Sequence, residues 1–210
     1  MKKKIIVLIV SLLLICLITF GAGFLGLIGN PIIVYIAKFL AYYLIGAVAL
    51  IAIKLTGVEI GLDFKNWKSY LIGLAMAIAL SLFIAVIPAL LGSSLVGSHL
   101  DPAPDVLILN FIFFLLAVGP VEELVFRVYV QETFMSFFTK HKWIAVIIAS
   151  LLFGLWHIIN GSLLQVLFTF GIGMVFGFAK YFLKNCKFLG VATAHGLYDF
   201  LNIVVRVFIV

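Results

Sequence analysis

The sequence predicts an all-α fold: a polytopic transmembrane helical bundle of about seven spans, with one broken long helix. Three observations predict it. The 210 residues are 66% hydrophobic and only 10% charged, against about 25% charged in a soluble domain. The mean hydropathy is +1.35, more apolar surface than one soluble core of this size can hide. The apolar residues also come in runs of roughly 20, long enough to cross a ~30 Å hydrocarbon layer as helices. Short polar segments that carry most of the lysines separate these runs.

The N-terminal Met1-Lys2-Lys3-Lys4 resembles the start of a signal peptide, but the apolar run behind it is too long for a signal core. It reads as an uncleaved first span over residues 5–28. Asn30 and Pro31 suit the N-cap and first position of a second span over 32–55. Residues 56–69, with Glu59, Asp63, Lys65, Trp67 and Lys68, read as a wet loop with an interfacial aromatic. A third span covers 70–91, bent or ended by Pro88. Residues 92–105 are polar and hold Asp101-Pro102-Ala103-Pro104-Asp105.

The next apolar stretch, 106–138, would be ~50 Å long as one helix. It is either one crossing broken or kinked at Gly119-Pro120, or two crossings that reverse there. Charge decides. With one crossing, Lys2, Lys3, Lys4, Lys54, Lys65, Lys68, Lys140, Lys142, Lys180, Lys184 and Lys187 share one side. With a reversal, the last five move to the other side. The positive-inside rule selects the single crossing and a cytoplasmic N-terminus. The remaining spans are 143–159, a turn at Asn160-Gly161-Ser162, then 163–183 and 188–210. Gly173 and Gly177 form a small-xxx-small pair that lets helices approach closely. The chain is expected to form one membrane domain over 1–210, with three N-terminal spans in 1–105 and a catalytic core in 106–210.

The net charge of +6 follows from those topology lysines, so no nucleic-acid partner is expected; the surroundings are the lipid bilayer of a bacterial or archaeal cell membrane. Cys16 and Cys186 are too differently placed to form a disulfide framework.

Ionisable residues inside a span cost several kcal/mol, about 2.5–3.5 each on insertion scales, and are functional-site candidates by default. Glu122, Glu123, Arg127, His157, His195 and Asp199 are the main set. Lys38 and Arg206 lie toward span ends, where their heads can snorkel to water. A rise of ~1.5 Å per residue places Glu122, His157, His195 and Asp199 at depths that permit one polar cluster, biased toward neither surface. Neighbours on a helix point ~100° apart, so Glu122 and Glu123 are not expected to face the same site. Glu123 and Arg127, at i and i+4, suit an ion pair that supports the site, which leaves Glu122 for chemistry.

Glu122-Glu123-x-x-x-Arg127, Phe153-x-x-x-His157 and His195-x-x-x-Asp199 follow in that order, each within an apolar helix. Together they resemble the three motifs of the CPBP family, which unites CAAX prenyl proteases of the Ras-converting type with the bacterial Abi, or bacteriocin-processing, proteins. The resemblance covers about residues 106–205. It implies an intramembrane endopeptidase in which residues matching Glu122 and His157 activate a water, while those matching His195 and Asp199 help bind the oxyanion. It also implies a site free of metal and cofactor, and a membrane-associated peptide or protein as substrate, in CAAX-type processing or in bacteriocin maturation and self-immunity. The eukaryotic members usually carry Asn where this chain has Asp199. An ionised Asp only accepts hydrogen bonds, so Asp199 is expected to orient His195 rather than to donate.

Two other readings stay open. Glu122, His157 and His195 would make a two-His, one-carboxylate zinc site for a membrane metalloprotease, although there is no His-Glu-x-x-His motif. Alternatively, the chain is a non-catalytic membrane protein: a bacteriocin-immunity factor, a regulator or a scaffold.

Overall fold

The computed structural model describes residues 1–62, 64–159 and 161–210. The loop residue Asp63 and the turn residue Asn160 lie outside the described residues. No strand occurs among the described residues, and seven long helical segments follow one another. They are α1 (Lys2–Gly23), α2 (Pro31–Thr56), α3 (Trp67–Leu90), α4 (Pro104–Met135), α5 (Trp143–Trp156), α6 (Leu163–Phe182) and α7 (Phe188–Phe208). Six are long and apolar enough to cross a membrane; α5, with the 3-10 turn His157–Ile159 that follows it, is shorter.

The ends of α2 form as the sequence dictates. Asn30 Oδ1 accepts from the backbone N–H of Ile32 at 3.0 Å and of Ile33 at 3.2 Å. Pro31 needs no partner at the first position. Gly57 closes the helix at φ +70°, a left-handed conformation that only glycine adopts without strain. In α3, Pro88 does not end the helix, because a π-helical stretch at Leu82–Val86 precedes it and the helix runs on to Leu90.

The expected break in α4 takes a related form. The segment is helical throughout its 32 residues. Pro120 has no N–H for the preceding turn, and π-helical stretches at Phe114–Val118 and Leu124–Val130 flank it. A wider turn leaves room for the proline ring and rotates the residues beyond it relative to a straight α-helix.

Helix α4 is the centre of the bundle. From Ala117 to Gln131 every residue except Pro120 is buried. Helix α7 packs on α3 and α4, α5 packs on α6, and α1 packs on α2. Large exposed apolar side chains such as Leu13, Leu17, Ile36, Leu40, Leu71 and Leu167 form the outer surface of α1, α2, α3 and α6. That is the inside-out surface expected where lipid is the solvent.

Two glycine crossings fix α7. A Cβ on Gly190 would lie 2.5 Å from Ser69 Oγ and 2.6 Å from the Ser69 carbonyl on α3. A Cβ on Gly196 would lie 2.5 Å from the Phe114 carbonyl on α4, and one on Gly119 would lie 2.7 Å from the Gly196 nitrogen. The α4–α7 contact is therefore backbone against backbone, beside the residues that carry the motifs. Gly173 and Gly177 allow the close helix contact expected of them: α5 packs against α6 there, and a Cβ would meet Phe153 at 3.0 Å and Val146 at 2.7 Å respectively.

Candidate active site

Helix α4 delivers Glu122 and Glu123 to opposite sides of one imidazole. His195, on α7, donates from Nδ1 to Glu123 Oε1 at 2.9 Å. Its Nε2 lies 3.6 Å from Glu122 Oε2 and 3.4 Å from Asp199 Oδ2. The two glutamates diverge as expected, with the His195 ring between them: Glu122 lines the cavity and Glu123 pairs with Arg127. One expectation is corrected: the anchor of the His195 ring is Glu123, on a different helix, and Asp199 meets the nitrogen that faces the cavity.

His157 sits where α5 gives way to its 3-10 turn. Its Nδ1 donates to the Phe153 carbonyl at 2.8 Å, which turns Nε2 toward Glu122 Oε2, 4.0 Å away. Tyr42, on α2, donates to Glu122 Oε1 at 2.9 Å. Glu122 thus has one oxygen held. The other, Oε2, is buried with no hydrogen-bond partner among the described residues and lies between two imidazole nitrogens.

Arg127 is fully buried, with Nε 3.2 Å from Glu123 Oε2. Its guanidinium lies over the Phe153 ring at 4.7 Å. The same ring meets His157 and His195 edge-on, with centroids 4.7 and 5.7 Å away. Arg127 therefore supports the site through two contacts, a charge on Glu123 and a flat face on Phe153. A buried guanidinium without such partners would cost several kcal/mol.

The four candidate residues Glu122, His157, His195 and Asp199 line one cavity of about 630 Å³. Tyr42, Phe153 and Tyr198 form part of its wall. Its rim includes Leu95 and Gly97 after α3, Ser162 and Gln165 at the start of α6, and Arg206 of α7. A second, apolar groove of about 350 Å³ between α3 and α6 shares Ile84, Leu164, Phe168 and Ile172 with it.

Sequence reasoning missed Tyr42 and gave Arg206 only a snorkelling role. Tyr42 lies in a span with no motif; its sole signal was a phenol within an apolar helix. Arg206 Nε donates to the Ser98 carbonyl at 2.9 Å, and the Leu100 N–H donates to the Arg206 carbonyl at 3.0 Å. Gly97, at φ +112°, passes so close that a Cβ there would meet the guanidinium carbon at 3.1 Å. This pins the 95–100 loop to the end of α7. Glu132 pairs with Lys180 where α4 and α6 end.

Residues 104–201, just under half of the chain, match the family model described as Type II CAAX prenyl endopeptidase Rce1-like. The match runs from the start of α4 into α7 and holds all three motifs. No curated protein and no solved structure matches the chain. This segment is similar to the Rce1-like type II CAAX prenyl endopeptidases, a family of membrane proteases, and the match is consistent with the CPBP resemblance of the three motifs.

Proposed function

We propose that the chain hydrolyses a peptide bond within the membrane by a water activated between Glu122 and His157. One observation carries this reading. Glu122 Oε2 is a buried, unpartnered acceptor, held in place through Oε1 by Tyr42, with His157 Nε2 at 4.0 Å. A gap of that size between two polar atoms suits a bridging water.

In this mechanism Glu122 Oε2 takes a proton from the water as its oxygen attacks the substrate carbonyl carbon. His157 Nε2 accepts the water's other hydrogen in a hydrogen bond, which sets the direction of attack. The carbonyl oxygen becomes an oxyanion. His195, doubly protonated and with Nδ1–H given to Glu123, presents Nε2–H to it. One such donor contributes roughly 2.7–4 kcal/mol in well-studied acyl-transfer sites. Asp199 balances the imidazolium charge from the cavity side. The proton held by Glu122 then passes to the departing amine as the carbon–nitrogen bond breaks.

The zinc reading has one observation in its favour: both imidazoles are anchored through Nδ1 and turn Nε2 toward Glu122. The spacing fits it less well. Bonds of ~2.0–2.1 Å in a tetrahedron put donor atoms ~3.3 Å apart. Glu122 Oε2 is 3.6 and 4.0 Å from the two nitrogens. No group of three His, Cys, Asp or Glu side chains among the described residues is arranged to hold a metal. Metal analysis of purified active protein decides the matter; stoichiometric zinc whose removal abolishes turnover overturns the metal-free mechanism.

The substrate class is a membrane-associated peptide or protein, and CAAX-type processing and bacteriocin maturation or self-immunity are the two settings that the family resemblance offers. The groove between α3 and α6 gives an apolar portion of such a substrate a lateral path to the cavity. The test is mass spectrometry of membrane peptides from cells carrying wild type or Glu122→Gln at equal protein level. A fragment present only with wild type supports the reading. Identical peptide sets support a non-catalytic role.

A further inference from the structure

The charged end of the bundle and the open end of the cavity are opposite ends. Contacts among four polar segments define the charged end. Lys4 Nζ reaches Ser136 Oγ at 3.5 Å, the Asn66 amide donates to the Asn185 carbonyl at 3.4 Å, and the Lys187 N–H donates to Ser69 Oγ at 2.9 Å. Lys180 pairs with Glu132 at the same end. Eleven of the 14 Lys and Arg residues belong to these segments or to the adjacent end of α2. None of these cations lines the cavity.

The cavity rim comes from the other helix ends: the loop after α3, the start of α6 and the last turns of α7. Loop 95–100 and Arg206 are bonded to each other there. This half of the bundle holds only Lys38 and Arg206, since Arg127 is buried at the centre. Lysines gather on the cytoplasmic side of short loops. The bias does not depend on the first three lysines, because eight remain at that end without them.

The geometry points to a catalytic cavity that opens on the non-cytoplasmic face of the membrane. Its substrate, given the peptidase reading above, is then a segment presented from that face: an exported peptide, or the outward part of a membrane protein. The apolar groove strengthens this assignment, because Leu164 and Ile84 place it beside the same rim. An apolar portion of the substrate reaches the site from the outer leaflet. Lipid-anchored tails of cytoplasmic proteins would meet the opposite, lysine-bearing end, so this orientation weighs against CAAX-type processing among the two settings named above.

Thiol labelling in intact cells tests the orientation. Leu95→Cys and Ser162→Cys mark the rim, and Lys65→Cys and Lys184→Cys mark the lysine end; all four positions are exposed. The wild type, with Cys16 and Cys186, is the blank. A membrane-impermeant maleimide should label the two rim variants in intact cells and the other two only after permeabilisation. The reverse pattern, or equal labelling of both pairs in intact cells, overturns the proposal. The labelling needs no turnover, so it stands apart from the peptidase reading. A second arm joins the two: a bulky impermeant maleimide on Leu95→Cys in intact cells should remove the wild-type-only fragment. Persistence of that fragment in fully labelled cells overturns the proposed route to the site, whereas absence of any fragment from wild-type cells overturns the peptidase reading alone.

Discussion

Gly196→Ala is the substitution whose effect follows most directly from the structure. Its Cβ would lie 2.5 Å from the Phe114 carbonyl oxygen and 3.0 Å from the Leu115 Cα, both backbone atoms of α4. Ordinary contact begins at 3.4 Å, so α7 must retreat from α4 by about 0.9 Å. His195 is the next residue on α7, and its bond to Glu123 would stretch from 2.9 Å to roughly 3.8 Å, past hydrogen-bond range. Overpacking of this kind costs about 1–3 kcal/mol of stability. A displacement near 1 Å at a reacting centre costs on the order of a hundredfold in rate. The expected outcome is a protein that still accumulates in membranes, with a modestly lowered melting temperature and about one hundredth of wild-type turnover. The assay is release of the wild-type-only membrane fragment, normalised to protein level. Full turnover by Gly196→Ala would refute the claim that the backbone contact between α4 and α7 sets the catalytic geometry.

Further outcomes follow from individual contacts. Tyr42→Phe removes the donor to Glu122 Oε1; a hydrogen bond to a charged group is worth about 1.5–3 kcal/mol, so turnover should fall at least tenfold with unchanged melting. Glu123→Gln removes the charge facing both Arg127 and His195. Breaking a buried pair costs about 3–5 kcal/mol, so protein level should drop along with activity, whereas Glu122→Gln should lose activity and keep its level. Asp199→Ala should reduce turnover less than His195→Ala, since Glu123 still anchors the ring. Lys180→Ala at the partly exposed pair with Glu132 should shift stability by less than about 1 kcal/mol.

The span pattern was legible because each segment answers to a local rule. Asn30-Pro31 caps α2 and the lysines mark one end of the bundle. The three motifs named the residues that meet in the cavity. The geometry among them was less legible. Facing rules for an α-helix separated Glu122 from Glu123, as the structure does, but gave no sign that the His195 ring would fit between the two side chains. Asp199 was a sequence neighbour of His195 and drew the orienting role; the actual partner, Glu123, came from a crossing that only Gly119 and Gly196 together permit. Tyr42 carried no pattern, since a single phenol in an apolar span reads the same whether it faces lipid or a carboxylate. Depth counting along each helix allowed a cluster but said nothing of which end the cavity would open from, because that depends on where loops 95–100 and 161–162 fold.

The central claim is that Glu122 activates the attacking water. Its most direct test is turnover of the fragment-yielding peptide by purified protein in lipid vesicles, wild type against Glu122→Gln, with melting temperatures matched. Glu122→Gln should lose at least about a hundredfold in turnover, in line with the contribution of a positioned general base. Equal turnover by the two proteins would contradict it.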